Sequence, residues 1–433
     1  MNVELLMVII VVTVCFGVVF NRDLFAPPLI VGIIFSIIIY LSLFINKKWE
    51  LYIHANTFKV IVIGILFIGI GCTVSRIPFL LNRQSSYNFL NSIITPIKIY
   101  ELTLIRCCSI CIFIISAFSI MNVARKVLGN GGISNLIYAY RVNLLSGNNL
   151  LPSIVSNLIL LNYAIGYLCI YVLINNWFAT NKVNKSLLVP IILPSITGLL
   201  QGARGNLIQY FLFAITVFYY FYMIVKKKRN VDIKLLIKIV AVTAVVIYAF
   251  YILRIVLGRN NDSLFLDYIG GLLCAPIKLL DTYIQENHAI SETWGLETFT
   301  NLISMINRWR GLHGIKYSDY ANYRIINNIS MGNVYTAFRA YYSDFNLVGV
   351  ATCSFLIGVI SGIPYNRFRS SVNRKNKINY ALFLYAYFVY GLAMMFYSNT
   401  FYEYIVNISF LKMLIVWYLL DLFFVKRRIK VKV

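Results

Sequence analysis

The stretch KKKRNVDIKLLIKIVAVTAVVIYAFYILRIVLGRNND (226–262) decides the fold, because a basic cluster, a long apolar run and the start of a polar block follow one another within it. A bilayer core about 30 Å thick needs about 20 consecutive apolar residues at the helical rise. The run 234–257 supplies them. Lys226, Lys227, Lys228 and Arg229 stand where the cytoplasmic flank of a membrane helix carries its positive charge. From Arg259 the chain turns polar and stays so until Asp344.

The same length rule, applied outward from this run, predicts helices near 3–20, 24–45, 57–74, 100–121, 152–174, 186–200, 206–225, 234–257, 346–365, 378–397 and 402–424, about eleven in all. A chain of 433 residues that is 60% hydrophobic is not an ordinary soluble protein, for which about 45–50% is usual. A net charge of +24 would suggest nucleic acid in a soluble chain. Here the charge collects beside apolar runs, at 226–229, at Arg367, Arg369, Arg374, Lys375 and Lys377, and in the tail from Lys426 to Lys432, so nucleic acid is not implied. The fold class expected is an all-α polytopic membrane protein of about 11–12 transmembrane helices with one large outer loop. It divides into 1–257 (helices with short loops), 258–345 (the large loop, with interfacial helices) and 346–433 (C-terminal helices and a basic tail).

The three basic clusters agree with one another if the C-terminus is cytoplasmic, which places the 258–345 loop and the turns at 201–205 and 398–401 on the opposite, periplasmic side. Lys47 and Lys48 would prefer the cytoplasm, yet strict alternation puts them outside. That conflict points to a further or re-entrant helix in 75–99 or 122–151, giving about twelve spans. The run Leu5 to Phe20 has neither a basic leader nor a small-residue cleavage site, so it is expected to be a retained helix. The large loop holds one cysteine, Cys274, and cannot close an internal disulfide. Within it, 264–285 is moderately apolar but broken by Gly270, Gly271 and Pro276, which suggests an interfacial or partly helical segment. The loop's first half is acidic and its second half basic.

Three arginines occupy costly positions: Arg204 in the turn LLQGARGNL, Arg254 near a helix end in YILRIVLGR, and Arg339 in VYTAFRAYYSD. Ionisable groups at membrane depth tend to mark pathways or sites, although Arg254 could also snorkel to the interface. Guanidinium forks suit phosphate oxygens, and the interleaved Tyr335, Tyr341 and Tyr342 suit sugar rings. Glycines beside Arg204 would let backbone approach a ligand. Arg308 and Arg310 add substrate-binding candidates in the basic half of the loop. His313 stands between Arg310 and Lys316, where positive charge favours the neutral form that a general base needs. Asp344 is the competing base or the ion-pair partner of Arg339, while His54 and His288 look incidental. No phosphate-binding glycine loop, dinucleotide fingerprint, paired-aspartate metal motif or zinc motif stands in a fitting context, so neither a metal nor a cofactor is expected.

Two segments, ITGLLQGARGNLIQYFL (196–212) and GNVYTAFRAYYSDFNLVGVATCSFLIGVISG (332–362), resemble the Wzy-type polymerases of bacterial surface polysaccharide, also called O-antigen or oligosaccharide repeat unit polymerases. The resemblance implies a metal-independent glycosyltransferase with a GT-C-like helical fold in the bacterial inner membrane. Donor and acceptor would both be glycans linked to undecaprenyl pyrophosphate, joined at the periplasmic face, and a polysaccharide chain-length regulator would be a further partner beside the bilayer itself. Carried over residue by residue, Arg204 and Arg339 become pyrophosphate or sugar contacts expected to face each other. Asn333, Tyr335, Thr336 and Asp344 fall on the second motif, with Tyr342 beside them. Where the family pattern has glycine after Asp-Phe, this chain has Asn346. An O-antigen ligase would share the donor and chemistry. A lipid-linked oligosaccharide flippase would instead show short loops on both sides and charges in mid-span, and an acyltransferase would need a histidine-centred motif.

Overall fold

The computed structural model describes residues 1–49, 51–81, 88–145, 150–228, 232–257, 265–286, 294–311, 323–326, 329–372 and 376–426. In chain order the helices are α1 (Asn2–Val19), α2 (Pro27–Trp49), α3 (Ala55–Val74), α4 (Ile77–Leu81), α5 (Leu102–Leu128), α6 (Ile133–Leu145), α7 (Ser153–Thr180), α8 (Val189–Leu200), α9 (Gly205–Lys226), α10 (Ile233–Val256), α11 (Phe265–Gln285) and α12 (Thr300–Trp309). An antiparallel hairpin of β1 (Arg324–Ile326) and β2 (Ile329–Gly332) precedes α13 (Ala337–Ser370), α14 (Tyr380–Ala393), α15 (Thr400–Ile405) and α16 (Ile408–Leu420). Among the described residues nine helices are long and apolar enough to cross a membrane, and two shorter apolar ones lie at Lys185–Leu200 and Tyr380–Phe396. All eleven expected segments are therefore helical, and the chain has the helices of a polytopic membrane protein.

Three local expectations change. The further helix is α6, but its 13 residues reach only about 20 Å, too short to span. The expected helix 402–424 is broken, α15 ending at Ile405 before α16 begins at Ile408. Segment 265–285 is helical from end to end despite Pro276, and the face carrying Cys274, Ile277, Leu280 and Ile284 is buried against α2, α3 and β2.

The chain divides into two compact units. The first holds 1–89, 263–372 and 387–410. Its axis is the pair α3 and α13, which meet backbone to backbone because glycines face each other's carbonyls. A Cβ on Gly71 would lie 2.1 Å from the Phe355 carbonyl oxygen, one on Gly358 2.2 Å from that of Ile68, and one on Gly362 2.1 Å from Ser75 Oγ. Small residues at this spacing let membrane helices approach where apolar burial gives no net drive. Because Gly64 meets Phe338 while Ser75 meets Gly362 and Asn366, the two helices run in the same direction. One end of the pair is closed by a buried network in which Tyr365 donates to Asp23 at 2.9 Å and Arg369 pairs with the same carboxylate at 3.1 Å. At the other end the Asn2 side chain clamps Leu51 and Ile53, fixing the strand-like entry to α3.

The second unit holds 90–262, 373–386 and 411–433. Its core is aromatic: Tyr167 packs edge-on against Tyr210, Phe213 and Trp417, and Phe383 joins Phe213 to Trp417. The Trp417 indole donates to the Ala164 carbonyl at 3.1 Å. Only 6% of the apolar window of α10 is buried, so this helix borders the unit rather than filling it.

Candidate functional site

In the first unit, the segment entering α13 brings Arg339 under cover. The residue is 8% exposed, its guanidinium lies against the rings of Tyr283 from α11 (5.6 Å) and Tyr335 (5.2 Å), and its Nη2 donates to Glu297 at 2.7 Å. Its Nη1 makes no hydrogen bond within the protein, nor do the buried Oγ1 of Thr336 and Oγ of Ser343, among the described residues. Buried polar atoms are nearly always paired, so these three have hydrogen-bonding capacity left to offer.

Asp344 is not the partner of Arg339. Its carboxylate accepts the backbone N–H groups of Glu297 (3.2 Å) and Thr298 (2.7 Å), while Asn399 donates to the Thr298 carbonyl at 2.8 Å and accepts from Tyr341 at 2.9 Å. Asp344, Asn399 and Tyr341 thus hold the loop that presents Glu297. Immediately beyond, Asn346 has φ 57° and ψ −153°, a region that strongly favours glycine. The backbone there divides α13 into the segment bearing Arg339 and the long apolar segment after it. Glycine would meet that geometry with little strain, asparagine with more.

Further charge gathers around the centre. Arg324 of β1 pairs with both carboxylate oxygens of Glu286, the longer contact being 2.6 Å. Glu403 of α15 feels the charge of Arg339; burial pushes its carboxyl above the usual range and Arg339 pulls it back only in part. Burial likewise raises the Tyr335 phenol against the lowering effect of Arg324 and Arg339. Among the described residues the guanidiniums of Arg339 and Arg324 stand beside the carboxylates of Glu297, Glu286 and Glu403, with Asp344 behind the Glu297 loop. Carboxylates, aromatic rings and a spare guanidinium N–H suit the hydroxyls and faces of a sugar better than they suit a pyrophosphate.

Also in this unit, Asp281 of α11 accepts from the His54 backbone N–H (2.9 Å) and the Thr57 hydroxyl (2.7 Å), and lies 2.8 Å from His54 Nδ1. The histidine set aside as incidental is thus the tie between α11 and the start of α3. Its ring is half-exposed, with Nε2 turned away from the carboxylate.

The second unit treats its arginines differently. Arg204 is the residue before α9; its Nη1 donates to the Phe250 carbonyl at 3.3 Å and its guanidinium lies 6.0 Å from the Phe250 ring. Arg254 is buried and donates to the hydroxyl of Tyr251 at 3.0 Å while lying over that ring at 4.1 Å. Both therefore engage the last turns of α10. The glycine expected to admit a ligand there, Gly202, has φ +67° and a Cβ on it would lie 2.9 Å from Cβ of Arg141. The close approach is made by a third arginine, from α6. Arg204 and Arg339 fall in different units, so their expected facing is outside what either unit's geometry describes.

Of the other sequence candidates, Asn333 and Arg310 are exposed and Tyr342 is half-buried. Arg308 lies on α12 with its side chain outside the description, and His313 lies outside the described residues. Among the described residues no three acidic, histidine or cysteine side chains gather as a metal site. Sequence reasoning missed Glu297, Tyr283, Glu403 and Arg141. Glu403 alone carried a signal, as an acid inside an apolar run.

Comparison of the chain with protein-family models, with curated proteins and with solved structures finds no match in any of the three.

Proposed function

We propose that this protein is a membrane glycosyltransferase of the Wzy type, joining undecaprenyl-pyrophosphate-linked repeat units into surface polysaccharide at the periplasmic face of the bacterial inner membrane. The observation that carries the reading is the Arg339 centre: a buried guanidinium between two tyrosine rings, fixed by Glu297 and keeping one N–H arm uncommitted. It falls inside the second segment that resembles the family. The parallel run of α3 and α13 adds support, because Arg367 and Arg369 mark the end of α13 far from Arg339. If that basic end is cytoplasmic, the Arg339 centre faces outward.

The Arg339 centre, rich in carboxylates, takes the acceptor sugar through its hydroxyls, and Glu403, its carboxyl raised by burial, takes the acceptor proton. Arg204, at the turn before α9, remains the contact that the resemblance proposes for the donor pyrophosphate, on which charge grows as the glycosidic bond breaks. The acceptor oxygen bonds to the anomeric carbon, the bond to pyrophosphate opens, and undecaprenyl pyrophosphate leaves. Both substrates being lipid-held, positioning supplies much of the rate.

The test is deletion of the protein followed by electrophoresis of the surface polysaccharide. Glycan reduced to a single repeat unit, restored to long chains by the wild-type protein, is the expected result. Lipid-linked polymer accumulating without transfer would identify a ligase, loss of every outward-facing intermediate would identify a flippase, and an unchanged ladder would sink the reading.

A further inference from the structure

A cleft of about 790 Å³ lies within the second unit, walled by α7, α9 and α10. That is within the range of about 300–1,000 Å³ typical of ligand sites. Its walls are apolar along most of their length, with Phe211, Ile215 and Phe218 on α9 facing Ile239 and Val242 on α10. One end changes character: among the described residues Lys226, Lys228, Lys234 and Lys238 line it with a single acid, Asp232, which Lys228 pairs at 3.8 Å. The rim therefore holds four ammonium groups against one carboxylate. Lys234 and Lys238 stand one helical turn apart on α10, so their ammonium groups can reach one anion together.

We infer that this cleft binds an acidic phospholipid of the bilayer, its acyl chain between α9 and α10 and its phosphate on Lys226, Lys234 and Lys238. Three observations converge. The cleft is amphipathic along its axis, matching an anionic head on an apolar tail. Basic pockets between membrane helices recognise such headgroups through charge that a neutral lipid cannot answer. And α10, so little buried, gains through the lipid the packing that protein does not give it. The inference stands apart from the glycosyltransferase reading and uses none of its residues.

Trp177 reports on the cleft because its ring lies 5.6 Å from that of Phe218 in the wall. Full-length protein in phosphatidylcholine nanodiscs is given graded fractions of dibrominated phosphatidylglycerol or dibrominated phosphatidylcholine, and tryptophan quenching is followed in wild type and Trp177→Phe. The difference between these two proteins isolates the Trp177 signal. It should be quenched at about a tenfold lower mole fraction of the acidic lipid. Lys226→Gln/Lys234→Gln/Lys238→Gln should remove that preference while thermal unfolding stays cooperative. Equal quenching by both lipids, or a preference that survives the triple variant, overturns the assignment. So does displacement of the brominated acidic lipid by an equimolar polyprenyl phosphate, which would give the cleft to an isoprenoid carrier.

Discussion

Arg339 and Arg204 are the same residue type near the start of a helix, and the two units handle them in opposite ways. Arg339 is buried, paired with Glu297, framed by two rings and surrounded by carboxylates. Arg204 is half-exposed and leans on a backbone carbonyl and one ring. A guanidinium whose charge is already answered can still orient a ligand through a spare N–H, but it adds little attraction for an anion. One held by a backbone carbonyl is oriented by a dipole instead. Residue type thus says little about what an arginine does until its counter-charges are known.

The strongest way to break that comparison is to ask each site to accept lysine. Arg339→Lys should fail as fully as Arg339→Ala, lowering polymer formation by about 100-fold or more, because a single ammonium lacks the planar pair of arms that lets one bond Glu297 while the other stays free. Arg204→Lys should keep a measurable part of the activity, since point charge is what it supplies. Long glycan chains from Arg339→Lys at wild-type density would show that the distinction is wrong.

Stability sharpens the contrast next. Asp344→Ala leaves the N–H groups of Glu297 and Thr298 without their acceptor and should cost about 3 kcal/mol, seen as a lowered unfolding temperature in detergent together with loss of polymer. Arg204→Ala should shift unfolding by less than about 1 kcal/mol. Similar shifts from both would mean that the Glu297 loop is not held as described.

A smaller effect is expected at Asn346. Asn346→Gly should be neutral or stabilising, whereas Asn346→Val should cost about 1–3 kcal/mol, since a β-branched residue tolerates that backbone poorly. Equal unfolding temperatures for the two variants would count against the division of α13.

The smallest effect is a pH dependence. Burial holds Glu403 above the ordinary glutamate value of 4.5, so the folded state binds its proton more tightly than the unfolded state does. The stability this contributes is fully present below that value and is lost as pH rises through the folded pKa. Glu403→Gln should therefore flatten the decline in unfolding temperature just above pH 4.5, while leaving the unfolding of an Arg204 variant unaffected. A parallel decline in wild type and Glu403→Gln would exclude the buried carboxyl as its source.

Much of the fold was legible in the sequence, and particular residues show why. An apolar run such as 234–257 declares a helix by itself, because a chain in lipid must satisfy its backbone groups within the segment. The break between Ile405 and Ile408 was not legible, since both sides are equally apolar. Neither was the continuity of 265–285, where the packing of Cys274, Ile277 and Leu280 outweighs two glycines and a proline. At the site, Arg339 stood out as a costly charge beside tyrosines. Glu297, 42 positions away, did not, because nothing in a chain announces which acid will meet which base.

The sequence by itself determined the class of protein, where most of its apolar helices lie, and the arginines worth asking about, since apolar length and charge are properties of a segment alone. Only the tertiary structure decided that Glu297 and not Asp344 answers Arg339, that Asp281 ties His54 to α11, and that Asp23 meets Tyr365 across 342 positions. Those pairings rest on distances of a few ångströms between remote segments, set by how α3 and α13 pack through their glycines.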